Sequence, residues 1–163
     1  MQDFVHLHVH SEFSLLDGLS KLDKLIAKAR SFHMSAVALT DHGAMYGIFK
    51  FFLKAKDAGI KPILGCEIYF AENSRFDKQK KMGDDQYHLT LLASSFEGYQ
   101  NLLKIVSVAH LDGFHYKPRV DLETLQKYNG GLVALTGCMG GIVPKSIMHN
   151  EPEKAEKWLR TYI

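Results

Sequence analysis

The chain has 163 residues, 46 % hydrophobic and 23 % charged, an ordinary globular composition with enough apolar residues to bury a core. A net charge of +2 with His neutral excludes the strong basic field that advertises nucleic acid or a membrane surface. No apolar run is long enough for a bilayer, no leader with a small-residue cleavage site opens the chain, and two cysteines make no disulfide framework, so a reducing, cytoplasmic compartment is the expectation.

Histidine is the unusual count, with nine copies. Phe4-Val5-His6-Leu7-His8-Val9-His10 reads as a β-strand whose alternate side chains face opposite ways. His6, His8 and His10 then share one face, and Asp17-Gly18 closes the stretch. Each ring brings two nitrogens that need partners, and one metal ion serves several of them. A strand solvated at a sheet edge, or rings bonded to backbone carbonyls, are the alternatives.

Ser20 and Asp23 have the spacing of a capping box. Leu22, Leu25, Ile26 and Ala29 predict a helix with one buried stripe. Ala36-Val37-Ala38-Leu39-Thr40 predicts a strand buried on both faces, ending in Asp41-His42-Gly43. A helix is predicted over 46–58, with Gly59 as its stop. Pro62 opens a strand through Ile63-Leu64-Gly65-Cys66-Glu67-Ile68-Tyr69-Phe70. The polar, aperiodic stretch 72–85 predicts a long exposed loop. Its basic cluster, Lys78 to Lys81, is followed by Asp84 and Asp85 and reads as solvated.

His88-Leu89-Thr90-Leu91-Leu92 predicts another strand. Ser94 and Ser95 are candidate caps for a helix whose stripe is Phe96, Tyr99, Leu102, Leu103 and Val106. The stretch 114–118 predicts loop, and Asp121 caps a short helix to Tyr128 that Gly130 and Gly131 stop. Leu132-Val133-Ala134-Leu135-Thr136 predicts a short buried strand leading to Gly137-Cys138. From Glu151, with Pro152 in its first turn, a helix carries Ala155, Trp158 and Leu159 on one face and reaches Ile163 without a stop signal. Short apolar strands alternating with amphipathic helices predict βα units and a mostly parallel sheet, with no internal repeat.

The chemistry collects at strand ends. His8 and His10 end the first strand, Asp17 follows in its loop, His42 lies past the second, Glu67 within the third and Cys138 past the last. Parallel α/β sheets and barrels deliver reactive groups from strand ends to one mouth. Cys66 faces away from Glu67 and is expected in the core. His88 starts its strand instead of ending it, so either that strand is reversed or its boundary is misplaced. His6, one layer deeper, and Asp41 are expected to support the ligands without ligating. His33, His110, His115 and His149 read as surface or packing residues. Imidazole, carboxylate and one thiolate suit zinc, manganese or iron, and calcium would want oxygen throughout. The set exceeds one tetrahedral site of about four ligands, so two or three divalent ions are expected, with Glu67 bridging. Clustered divalent ions suit phosphoester hydrolysis.

These residues resemble the polymerase-and-histidinol-phosphatase (PHP) domain. His8-Val9-His10 with Ser14-Leu15-Leu16-Asp17-Gly18 resembles its opening motif, and Thr40-Asp41-His42-Gly43 its second. Gly59-Ile60-Lys61-Pro62-Ile63-Leu64-Gly65-Cys66-Glu67 resembles the third, in the form found at the amino terminus of bacterial DNA polymerase III alpha subunits. Tyr87-His88-Leu89-Thr90-Leu91-Leu92-Ala93 and Leu135-Thr136-Gly137-Cys138 are similar to that subfamily too.

The resemblance implies an α/β fold, a distorted (β/α)7 TIM-like barrel with a trinuclear metal centre. By analogy His8, His10 and Glu67 hold the first ion, Asp17 and His42 the second, and Glu67, His88 and Cys138 the third. The ions implied are zinc or manganese, with iron as a further option. The implied activity is 3′-5′ exonuclease proofreading within a replicative DNA polymerase, a nucleotidyltransferase. No catalytic residue is assigned beyond metal-bound water. Implied partners are the primer 3′ end of DNA, the rest of the polymerase alpha chain and replisome subunits, with no membrane.

The family supplies a final Asp-x-His pair beyond residue 163. Residues 1–163 are therefore expected to be an amino-terminal part of a PHP domain, without palm or fingers. An open sheet, exposed apolar strand surface, incomplete ion occupancy and little or no activity of this piece by itself follow as expectations. Two other functions stay open. One is a non-catalytic PHP scaffold that stabilises the polymerase, as in relatives whose ligands have decayed, although every ligand position that can be checked here is occupied. The other is a stand-alone PHP phosphatase on small phosphoesters, against which the polymerase-like run 44–67 speaks.

Overall fold

The computed structural model describes residues 4–15, 17–79, 81 and 86–163. Leu16 of the opening motif and the Asp84-Asp85 pair lie outside the described residues. Helix α1 (Leu22–Ser31) turns Leu22, Ile26 and Ala29 inward. Its N-cap, Lys21, makes no side-chain cap bond, and the expected Ser20–Asp23 capping box does not form. Asp23 pairs instead with Lys54. Strand β1 (Ala36–Leu39) is buried throughout, as its unbroken apolar run predicts. Helix α2 (Ile48–Asp57) is followed by Gly59 at φ +73, a left-handed stop.

Strand β2 (Lys61–Phe70) is the longest strand described, and β3 (Tyr87–Ala93) lies antiparallel to it. Helix α3 (Phe96–Leu111) is capped by Ser95, whose side chain accepts from the Gly98 amide. Its buried stripe is Gly98, Asn101, Leu102, Ile105 and Ala109, and the expected members Phe96 and Leu103 are exposed. The rotation follows from Gly98, where a Cβ would stand 1.8 Å from the Gly131 carbonyl oxygen. That glycine must face the sheet-side backbone, so Phe96 is turned outward.

Strands β4 (Phe114–His115) and β5 (Lys117–Val120) form a tight antiparallel hairpin where a loop is expected. Tyr116, at φ 59, makes the reversal, and nothing in a tyrosine's residue type signals it. Asp121 caps α4 (Leu122–Lys127) by accepting from the Thr124 amide. Strand β6 (Leu132–Leu135) is partly exposed, with Val133 47 % accessible, because β3 is its one strand partner among the described residues. Helix α5 (Ile142–Met148) was not anticipated from the sequence pattern. In α6 (Pro152–Thr161) Ala155 and Trp158 are buried, and Leu159 lies outside that face at 44 % accessible.

The sheet runs β4-β5-β2-β3-β6, with β1 also on β2. β1 and β5 are parallel to β2 and share one of its edges, β1 along its first half and β5 at its end. The β2–β3 and β3–β6 ladders are antiparallel, so the sheet is mixed, not mostly parallel. This reversal places the first residues of β3 beside the last of β2, with Tyr69 opposite His88.

The histidine-rich segment 4–10 is not a regular strand. It runs beside β1, where the Ala38 amide bonds the His6 carbonyl at 2.9 Å and the Thr40 amide bonds the Val9 carbonyl at 2.8 Å. Three steps along the segment match two along β1, as in a bulge, and this breaks the period-two alternation between His6 and the later rings. Two apolar clusters fill the interior. One packs α1, β1 and α2 around Phe51 and Leu39, and the other packs α3, α6 and the sheet around Phe70, Leu102 and Ile105. Met45 packs against both. No helix among the described residues is long and apolar enough to cross a membrane.

Candidate metal centre

Glu67 sits in β2 with its side chain 1 % accessible. Its Oε2 lies 3.3 Å from His8 Nε2, 3.1 Å from His10 Nε2 and 2.9 Å from His42 Nδ1. Its Oε1 lies 3.1 Å from His88 Nδ1 and 3.8 Å from Cys138 Sγ. Asp17 joins through His42, whose Nε2 is 2.7 Å from Asp17 Oδ2. The seven residues singled out as ligand candidates therefore converge on one mouth. His8 and His10 remain 31 % and 25 % accessible, so the mouth is open.

Each position has a local cause. The backbones of His42 and Glu67 form a parallel bridge, with the Glu67 amide on the Asp41 carbonyl and the Gly43 amide on the Glu67 carbonyl. The reversed direction of β3 answers the question about His88, and the His88 amide is held by the Gly140 carbonyl at 3.0 Å. Cys138 Sγ accepts from the Gly140 amide at 3.3 Å. Ser14 Oγ accepts from the His42 amide and lies 2.9 Å from His10 Nδ1. A ring that binds metal through Nε2 keeps its proton on Nδ1, and Ser14 Oγ is placed to accept it. Asp41 is buried and accepts from the Ser11 amide and hydroxyl at 2.6 and 2.8 Å, which ties the turn carrying Ser14 to the end of β1.

His6 is not brought to this mouth. It is exposed, with its ring edge-on to Phe4 at 4.8 Å, because the bulge turns it off the face of His8 and His10. Cys66 is fully buried on the opposite side of β2, its thiol against the Asp41 and Ala44 carbonyls. Three participants carry weaker sequence signals. Ser14 stands four residues from His10, a spacing that could have been read. Tyr69 shares the β2 face of Glu67, and its ring stacks on His42 at 5.8 Å and meets His88 edge-on at 5.3 Å. His110 donates from Nε2 to the Gly43 carbonyl at 2.8 Å across 67 residues, a contact that no local pattern signals.

Burial alone would raise the Glu67 carboxyl, but the rings of His10, His42, His8 and His88 override it and hold the group far below the usual carboxylate range. His42 is pushed up: burial opposes the charge, and the Glu67 and Asp17 carboxylates outweigh it. Burial raises Asp41 against the bonds from Ser11. Burial, helped by the charges of Asp17 and Glu67, pushes the Tyr69 hydroxyl up to about 12, so that ring stays neutral.

The donor set fits a divalent cation. His42 Nδ1 is buried without a bond of hydrogen-bond geometry, although Glu67 Oε2 is near. His8, His10 and Glu67 offer donor atoms within 4.8 Å of one another, and so do His42, Glu67 and His88. Nitrogen, carboxylate oxygen and one sulfur suit zinc or a neighbouring transition ion.

The PHP domain model matches residues 6–163. The DNA polymerase III subunit alpha of Borreliella burgdorferi is 50 % identical over 154 residues, covering 94 % of this chain and 13 % of that protein. The protein of the same name from Aquifex aeolicus is 45 % identical over 167 residues, covering 99 % of this chain and 14 % of that protein. The chain thus spans 13 to 14 % of the length of these curated relatives. A solved amidohydrolase from Chromobacterium violaceum is similar at a TM-score of 0.46 and 22 % identity, covering 64 % of this chain and 32 % of that one. With a family match over nearly its whole length and a mixed α/β sheet that focuses His, Glu and Cys on one mouth, the chain belongs to the PHP domain family.

Proposed function

We propose that this chain is the metal-dependent phosphoesterase module of a replicative DNA polymerase III alpha subunit, acting as a 3′-5′ exonuclease on the primer end of DNA. One observation carries the reading: the two oxygens of a single buried glutamate are shared among four imidazoles and a thiol. In this reading His8, His10 and Glu67 hold one divalent ion, Asp17 and His42 a second, and Glu67, His88 and Cys138 a third. Bound divalent ions supply an activated water and charge for the phosphate oxygens. The chain's own residues orient this set. Ser14 Oγ accepts the Nδ1–H of His10, and Asp41, through Ser11, holds the turn that carries Ser14. The relatives named DNA polymerase III subunit alpha support the choice of DNA, the rest of the polymerase chain and replisome subunits as partners.

The test uses the intact polymerase that contains this chain. Hydrolysis of a 3′-mispaired primer is followed with Mn²⁺, after chelation, and in the His8→Ala variant, alongside elemental analysis. Metal-dependent trimming that His8→Ala lowers by at least roughly 10- to 100-fold is expected. Bound metal with no trimming, or trimming that His8→Ala leaves alone, leaves the domain as a scaffold. Turnover of a small phosphomonoester in preference to DNA ends points to a phosphatase.

A further inference from the structure

Beside the metal centre lies a ledge of exposed rings and one cation. Phe114 is 51 % accessible, Tyr116 54 % and Tyr46 62 %. They are linked through histidines: Tyr46 to His110 at 6.4 Å, His110 to Phe114 at 6.4 Å, and His115 to Tyr116 at 4.4 Å. Lys117 Nζ stands 5.3 Å from the centre of the Tyr69 ring, whose neighbours are His42 and His88.

We propose that the β4–β5 hairpin, together with Tyr46, binds the single-stranded 3′ end of a DNA chain, stacking terminal bases on Phe114 and Tyr116 while Lys117 takes a backbone phosphate. The choice of DNA rests on the exonuclease reading above.

Position is the first argument. The hairpin is locked to the loop that carries His42. A Cβ on Gly43 would stand 2.8 Å from Pro118 Cγ and 3.0 Å from Tyr69 Cε2, and Gly43 takes the conformation this needs, φ +58. His110 pins the same loop through the Gly43 carbonyl. Strand β5 also pairs with the end of β2, Arg119 opposite Tyr69, so the ledge is fixed relative to Glu67. Lys117 stands over the ring that stacks on His42, so a phosphate held by Lys117 lies beside the mouth.

Chemistry is the second argument. Scattered exposed rings are ordinary, but exposed rings gathered on one short hairpin beside a cation are the pattern of single-strand binding surfaces. Lys117 makes no ion pair among the described residues, and its ammonium stands over the Tyr69 ring.

Backbone strain is the third. Tyr116 holds φ 59, where a bulky side chain is an outlier and glycine or asparagine would sit without cost. The residue remains 54 % accessible. The turn holds the Tyr116 ring out in solvent, where a base can stack on it.

The experiment cross-links the intact polymerase to a single-stranded oligonucleotide bearing 5-iododeoxyuridine at its 3′ end and maps the adduct by mass spectrometry. The adduct is expected on the peptide carrying residues 114–116. Phe114→Ala and Tyr116→Asn, the latter suited to the left-handed backbone, should each raise the half-saturating oligonucleotide concentration roughly 5- to 150-fold. Lys117→Met should lower the slope of log affinity against log salt by about 0.7. Adducts confined to other peptides, or half-saturation unchanged in both ring variants, overturn the inference. Metal content and primer hydrolysis are measured on the same samples. Hydrolysis without a hairpin adduct removes this inference alone, and a hairpin adduct without metal-dependent hydrolysis removes the exonuclease reading and leaves the DNA platform standing.

Discussion

Glu67 and His42 are joined twice: their backbones pair in a parallel bridge, and His42 Nδ1 stands 2.9 Å from Glu67 Oε2. A residue just past β1 and one within β2 are thus held together by both main chain and side chain. Glu67→Gln keeps the shape and removes the charge on which four rings converge. Metal affinity should fall by more than about 100-fold, beyond the 10- to 100-fold range of outer-sphere changes, as read by titration calorimetry. The metal-free variant should stay folded by circular dichroism, because a glutamine can still bond the rings.

Cys138 Sγ lies 3.7 Å from His88 Nδ1 and 3.8 Å from Glu67 Oε1, close enough to share an ion with them. Cobalt substitution should produce a thiolate-to-metal charge-transfer band in the near ultraviolet. Cys138→Ser should abolish that band while visible ligand-field absorption from the remaining sites persists. A band unchanged by the substitution would remove Cys138 from the ligand set.

Gly137 holds φ +87 directly before Cys138, and a Cβ there would stand 2.5 Å from the His88 carbonyl oxygen. Gly137→Ala should destabilise the fold by about 1–3 kcal/mol in thermal unfolding. It should also reduce occupancy of the ion held by His88 and Cys138, since the loop must move away from β3.

Asp121 is a cap under strong local constraint. It accepts from the Arg75 amide and guanidinium and from the Thr124 amide and hydroxyl. Burial opposes its charge, and these bonds from Arg75 and Thr124 outweigh it, leaving the carboxyl below its usual range. A depressed carboxylate contributes stability above the unfolded value near 3.9 and loses it as pH falls through the folded value. The wild-type melting temperature should drop over that acidic window. Asp121→Ala should cost about 1–2 kcal/mol at neutral pH and flatten the acid slope.

Much of the centre was legible because strand and helix periods are local. The unbroken run at 36–39 announced a strand buried on both faces, and Glu67 and Cys66 had to face opposite ways. Cap chemistry at Ser95 and Asp121 was equally local, since each side chain bonds an amide three residues on. The same reasoning erred where a distant backbone intervened. Gly131 rotated α3 and exposed Phe96, and an extra residue against β1 turned His6 away from the rings it was grouped with.

By itself the sequence determined which residue types were available, where caps and stops fall, and which face Glu67 takes within β2, because those depend on bonds a few residues long. Only the tertiary structure decided that β3 runs backwards, so that His88 meets Glu67, and that a hairpin turning at Tyr116 stands beside His42. Strand direction and hairpin placement follow from packing between segments tens of residues apart, and no local period encodes them.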